Sequence, residues 1–335
     1  MIRSVCFLFF FLIIGGSCEL QRQSHSKASI AFVTNGVASF WTIAAKGVEN
    51  AGEKFKVAVS VHMPAEGISD QKRIIQDLLT FGVDGIAISP IDPENQKDLI
   101  DEAARKSLII TQDSDAPGTN RLCYIGMDNY KAGRLCGQLL KEALPEGGEI
   151  MILVGRLEQN NSRRRRQGFI DEVLDRSYNP TRYDPPHQVL KNEKFSVVGT
   201  LTDQFDLAKA KANAEDAMAR FPDLAAMVGL FAYNPPMILE AVRRTDRLGE
   251  IVIIAFDEDY QTLQAIQDGE IYGTIVQDPY RYGYESVRIL AALVAGDYSV
   301  IPAEGFVDIP ARQIRRNNVD DFWADLKLKL SKPKI

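Results

Sequence analysis

The chain has 335 residues, 45 % of them hydrophobic, which is enough for two domains with cores of their own and too apolar for a disordered polymer. Lysine and arginine number 39 against 45 aspartates and glutamates, a formal charge of −6. That balance excludes general affinity for nucleic-acid phosphates.

The first residues read as an address. MIRSVCFLFFFLIIGGSC places one cation, Arg3, before an apolar run over 5–14, and small residues after it. This is the order of a secretory leader, and the run is short for a bilayer span. We expect the leader at 1–17 and a polar tether at 18–27, with a periplasmic or otherwise extracytoplasmic location. Cys18, behind Gly15, Gly16 and Ser17, resembles a bacterial lipoprotein cleavage site; ordinary leader cleavage nearby is the other reading. Cys123 and Cys136 remain, and in an exported chain a disulfide and two buried thiols are both open.

From Ser29 the pattern alternates. SIAFVT reads as a strand, WTIAAKGVENAGEKF as a helix, KVAVSVH as a strand and DQKRIIQDLLTFG as a helix. DGIAISP is the next strand, DPENQKDLIDEAARKS a helix with Asp92 as cap and Pro93 in the first turn, and LIITQD a strand. The pattern restarts at EIMILVG, residues 149–155. RRRRQGFIDEVLD, VVGTLTD, LAKAKANAEDAMARF, AAMVGLF, PMILEAVRR and IVIIAFD then alternate helix and strand. Apolar strands separated by helices predict parallel sheets covered on both faces. The first helix of each half carries a glycine before a large apolar residue, Gly47-Val48 and Gly168-Phe169, so the halves echo one another and predict two lobes with a cleft between them. Past the last expected strand, Phe322, Trp323 and Leu326 at helical spacing predict a closing helix on one lobe, with a partner-binding segment as the other reading.

Ligands of open parallel sheets sit beyond the carboxyl ends of the strands. The candidates are therefore Asn35, Phe40 and Trp41 after the first strand, and Asp113, Ser114 and Asp115 after LIITQ. Segment 160–163, Asn234, Asp257 and Gln277 complete the set. Most can hydrogen-bond and two are large aromatics, while no nucleophile stands beside a base. The set suits a neutral, hydroxyl-rich carbohydrate, whose C–H faces lie against rings. Neither a metal site nor a cofactor is expected: His25, His62 and His187 are scattered, and phosphate-binding and dinucleotide motifs are missing from the sequence.

Read together, FW…GVENAGEKF, DGIAISP, ITQDSD, YIGMDNYKAGRLCG, RRRRQGF, FAYNPPM and IIAFDEDYQTLQAIQDGEIYGTIVQDPYRYG follow one order. They resemble the type I periplasmic binding proteins of the ribose-binding class, sugar receptors of ABC transporters, over about residues 29–313. The resemblance implies an α/β fold of two doubly wound parallel-sheet lobes joined by a three-crossing hinge. Lobe one would be 28–127 plus 278–307, and lobe two 128–277 plus 308–335. It implies a monomer that captures a monosaccharide or polyol by hinge closure and docks on an ABC permease, or on a membrane receptor if it is a sensor.

Residue by residue, the resemblance gives Phe40, Trp41 and Phe205 as the stacking aromatics. Asp113 and Asp257 are the acids, Arg163 the arginine, and Asn234 and Gln277 the amides. The chain departs from the family at Ala38, where Asn is expected and Asn35 is a substitute, and at Ser114, where Arg is expected with Asp115 next. These departures argue against ribose itself. Arg163 would open its helix and reach into the cleft, Arg165 would support the site, and Arg164 and Arg166 would face water. Among the rivals, a repressor effector domain would need a helix-turn-helix where the leader stands. A glycosidase would need its two acids on opposite sides of a bond, whereas Asp113 and Asp115 share one loop.

Overall fold

The computed structural model describes residues 27–331; the expected leader, Cys18 and tether residues 19–26 lie outside them, as do residues 332–335. Strand β1 (Ser29–Val33) leads into helix α1 (Ser39–Phe55). There follow β2 (Ala58–His62), α2 (Ile68–Phe81), β3 (Gly85–Ile88), α3 (Lys97–Ala104), β4 (Leu108–Gln112) and β5 (Tyr124–Gly126). The chain then crosses to a second sheet through α4 (Asn129–Ala143), β6 (Gly148–Val154), α5 (Asn160–Val173), β7 (Leu190–Lys191) and β8 (Phe195–Thr202). It continues with α6 (Leu207–Arg220), β9 (Leu224–Gly229), α7 (Asn234–Arg244), β10 (Val252–Phe256), α8 (Tyr260–Asp268) and β11 (Gly273–Val276). It returns to the first sheet through α9 (Pro279–Val294) and β12 (Phe306–Asp308), and crosses a third time to β13 (Arg312–Arg315) and α10 (Val319–Leu330).

The first sheet runs β12-β5-β4-β3-β1-β2 and the second β13-β11-β10-β9-β6-β8-β7. Strip the edge strands and both have the doubly wound order 2-1-3-4-5. All pairs are parallel except β11–β13 and β7–β8, which close the second sheet with antiparallel edges. The central strands are buried almost throughout, as expected for sheets covered on both faces: every position of β3 and β11 is buried. In the first lobe one core lies between the sheet and α1 and α9, and another beneath α2 and α3. In the second lobe α4 and α5 cover one face, and α6, α7, α8 and α10 the other.

Local chemistry sets the ends. Asp128, Asp206, Asp259 and Asp278 each accept backbone N–H bonds at the start of α4, α6, α8 and α9. Gly82 and Gly269 end α2 and α8 with left-handed φ of 75° and 83°.

Several expectations shift. The helix expected from Asp92 starts at Lys97, because the Asp92 side chain accepts from Asn95 N–H and its carbonyl from Gln96 N–H in a preceding turn. Helix α5 starts at Asn160, three residues before the expected start. Arg166 does not face water: it is buried and donates to Thr200 Oγ1 at 2.7 Å and to the Asp184 carbonyl at 2.7 Å. Cys123 and Cys136 are free, buried and in different lobes, and burial pushes the Cys123 thiol up to about 11. Helix α10 packs Val319, Phe322 and Leu326 into the second lobe.

Candidate functional site

A cavity of about 500 Å³ lies between the lobes, at the carboxyl ends of both sheets. The wall from the first lobe begins at Asn35, just past β1. Its Oδ1 accepts from Trp41 Nε1 at 3.1 Å, and its Nδ2 reaches Asp113 Oδ2 at 3.3 Å. Phe40 and Trp41 stand edge to face at the start of α1, 4.8 Å between centroids, with both rings buried. Asp113 follows β4 in the left-handed region at φ 59°. Its Oδ2 also accepts from Ser89 Oγ at 3.0 Å and from Asn161 Nδ2 at 3.0 Å, the latter across the cleft. Among the described residues no donor reaches Oδ1, so that oxygen is the acceptor left for a guest. Burial pushes the Asp113 carboxyl up to about 7, while Arg165 pulls it down.

The opposite wall comes from the second lobe. Asp257 follows β10 at φ 70° and accepts from Gln277 Nε2 at 2.6 Å, while Gln277 accepts from Tyr282 at 3.1 Å. Burial raises the Asp257 carboxyl as well, and Arg165 again opposes the rise. Arg165 is fully buried, donates to the Leu230 carbonyl at 2.6 Å and to Asn129 Oδ1 at 3.1 Å, and lies 3.9 Å over the Phe256 ring. One cation thus serves two buried acids, one from each lobe. Phe205, at φ 66°, packs against Phe231 at 5.4 Å and lines the same space. Gly155 makes room for this: a Cβ there would stand 2.8 Å from Phe205 Cε1 and 3.0 Å from the Tyr233 oxygen. Among the described residues, Asp113, Gln204, Phe205 and Asp257 are four of the seven non-glycine residues with positive φ, so backbone strain of about 1 kcal/mol each gathers at the cavity.

Of the residues expected from the sequence, Asn35, Phe40, Trp41, Asp113, Phe205, Asp257 and Gln277 line this cavity. Four do not. Arg163 turns outward and pairs with Glu94 of the first lobe at 3.1 Å. The reason is helical phase: Asn161 and Arg165, four apart, share the cleft face of α5, and Arg163 lies about 200° round from Arg165. Asn234 is buried but faces Asp203, donating to it at 2.8 Å. Asp115 is held by Arg121 at 2.5 Å and by Thr111 Oγ1 at 2.6 Å, away from the cavity. Ser114 is buried behind it and does not line the cavity.

Arg156, Gln204, Phe231 and Tyr233 were not expected and do line it. The glycine echo held the signal for Arg165. Gly47 is the ninth residue of α1 and Gly168 the ninth of α5, so aligning the two glycines starts α5 at Asn160 and sets Arg165 level with Ala44, which is fully buried.

Chemically, the arrangement offers carboxylate and amide acceptors, amide and guanidinium donors and aromatic faces. The family model described as "Periplasmic binding protein domain" matches residues 30–297. The ribose import binding protein RbsB of Escherichia coli (strain K12) is 24 % identical over 289 residues, covering 84 % of this chain and 90 % of that protein. The D-ribose/D-allose-binding protein of Pseudomonas aeruginosa is 22 % identical, covering 88 % and 91 %. Among solved structures, an ABC transporter solute-binding protein of Burkholderia graminis in complex with D-arabinose is 26 % identical with a TM-score of 0.78, covering 88 % of this chain and 97 % of that one. The chain belongs to the periplasmic binding protein family.

Proposed function

We propose that the protein captures a monosaccharide or related polyol in the interlobe cavity and delivers it to an ABC permease by hinge closure. One observation carries this reading: Asp113 and Asp257, from opposite lobes, converge with Asn35, Gln277 and Arg165 on one cavity flanked by Phe40, Trp41 and Phe205. Ring hydroxyls donate to the carboxylates and accept from Arg165 and the amides, and the apolar sugar face lies against the aromatic rings. The names of the relatives, which bind ribose, allose or arabinose, support the substrate class. Contacts already made across the cleft, Asn161 to Asp113, Arg163 to Glu94 and Ser39 to Asp259, supply the bonds that hold the lobes together around a guest.

A Kd of about 1 µM corresponds to about −8 kcal/mol and raises the melting temperature by mass action. A thermal-shift screen over neutral and acidic monosaccharides and sugar alcohols tests the reading; a flat response to all of them overturns it. The leader-like segment at 1–17 supports an extracytoplasmic address, and Cys18 behind it is the attachment point for a lipid. Mass spectrometry of the N-terminal peptide from the native host checks this, and an unmodified Cys18 refutes it.

A further inference from the structure

Arg156 is a cation in the cavity wall whose charge a neutral guest leaves unmatched. It follows β6 by two residues, and its guanidinium lies 5.0 Å over the Phe205 ring. From there it spans the cleft to the first lobe: a Cβ on Gly67 would be 3.5 Å and 3.6 Å from its two terminal nitrogens. Its Nε is buried without a hydrogen-bond partner, and among the described residues the side chain forms no salt bridge. The other lining cation differs. Its Nε is also buried without a partner, but Arg165 donates to the Leu230 carbonyl and Asn129 Oδ1 and acts electrostatically on both aspartates, whereas among the described residues Arg156 donates no hydrogen bond and acts electrostatically on Tyr233.

The lobe-one side of this corner adds to the imbalance. Ala65 and Gly67 line the cavity where the 14-residue helix α2 begins, and Gly67 gives that helix no side-chain cap. Asp70, the acid of its first turn, is taken by Arg73 at 2.6 Å and by the Ala65 N–H at 2.9 Å. A guanidinium and the positive end of a helix therefore flank one corner of the cavity; of the two acids beside that helix start, Asp70 is paired, and the exposed Glu66 does not line the cavity. Closing the lobes over such a corner favours a guest that brings a negative charge.

We infer that the guest is a sugar acid, a uronate or aldonate, whose carboxylate is gripped by Arg156 between Phe205 and the start of α2. This rests on the sugar-binding reading for the hydroxyl-bearing part of the guest and replaces the neutral guest expected from the sequence. One planar guanidinium matches the two oxygens of a carboxylate. A phosphate dianion would call for a second free cation, and Arg165 is committed elsewhere.

Titration calorimetry of the purified protein tests this with D-glucuronate, D-galacturonate and D-gluconate, their neutral counterparts D-glucose, D-galactose and sorbitol, and glucose 6-phosphate. We expect at least one acid to bind about tenfold or more tighter than its neutral counterpart. In Arg156→Gln that ratio falls to within about twofold; reading the ratio cancels any general weakening of the site. Neutral sugars binding as tightly as their acids overturn the inference and leave the sugar-binding reading standing. Binding of no compound overturns both. A preference that survives in Arg156→Gln removes the role of Arg156, and glucose 6-phosphate binding above every acid replaces the carboxylate with a phosphate.

Discussion

The two lobes are built alike and furnish the cleft differently. Each sheet has the same strand order, and each places an aspartate in the left-handed region just past its fourth strand, Asp113 after β4 and Asp257 after β10. Each packs its first helix against another through reciprocal glycines. A Cβ on Gly47 would collide with the Tyr280 carbonyl and one on Gly283 with that of Ala44; in the second lobe Gly168 and Gly133 stand the same way against Tyr130 and Arg165. The first lobe puts aromatic rings at the start of its helix, and the second puts an amide and a buried arginine there. The scaffold repeats because packing constrains it, while the cleft diverges because the helix starts face the guest.

The largest test of this difference is Arg165→Ala. It leaves the Leu230 carbonyl, Asn129 and two buried acids uncompensated, so we expect a loss of about 3–5 kcal/mol in stability and no measurable sugar binding, by denaturant unfolding and calorimetry. A stable variant that still binds would move the charge centre out of the second lobe.

The next effect is a pH dependence that enters through the first-lobe acid. The Asp113 pKa is raised to about 7 in the fold, against about 3.9 unfolded. Between those values the unfolded chain has released its proton and the folded one keeps it, so stability falls as pH rises through that window and levels off above it. The contribution is no more than about 4 kcal/mol. Asp113→Asn should flatten the slope of melting temperature between pH 5 and 8, and an unchanged slope would place the titration elsewhere.

Gly168→Ala should cost about 1–3 kcal/mol by overpacking, and Gly47→Ala a similar amount in the other lobe. Unequal costs would show that the helix pairs are less alike than their geometry. Smallest of all, Arg163→Ala removes one partly exposed bridge to Glu94 and should cost less than about 1 kcal/mol. A larger loss on the scale of Arg165→Ala would reverse the assignment of the two arginines.

What could be read from the sequence followed from periodicity. Apolar strands between amphipathic helices, the restart at 149 and the paired glycines specified two covered parallel sheets, and position just past a strand placed Asp113, Asp257 and Gln277 at the cavity wall, because a residue that directly follows a buried strand has one way to point; Asn35, Phe40 and Trp41 come from the loop and helix start that follow β1. Helical phase and long-range pairing lay beyond that reading. Which of four consecutive arginines enters the cleft depends on where α5 starts, and whether Asn234 or Asp115 meets a guest depends on Asp203 and Arg121 claiming them first. The linear pattern fixes what is buried in each element, since that is a local matter of apolar spacing. Only the assembled lobes decide which polar groups stay unclaimed and face the gap, since their partners lie far along the chain.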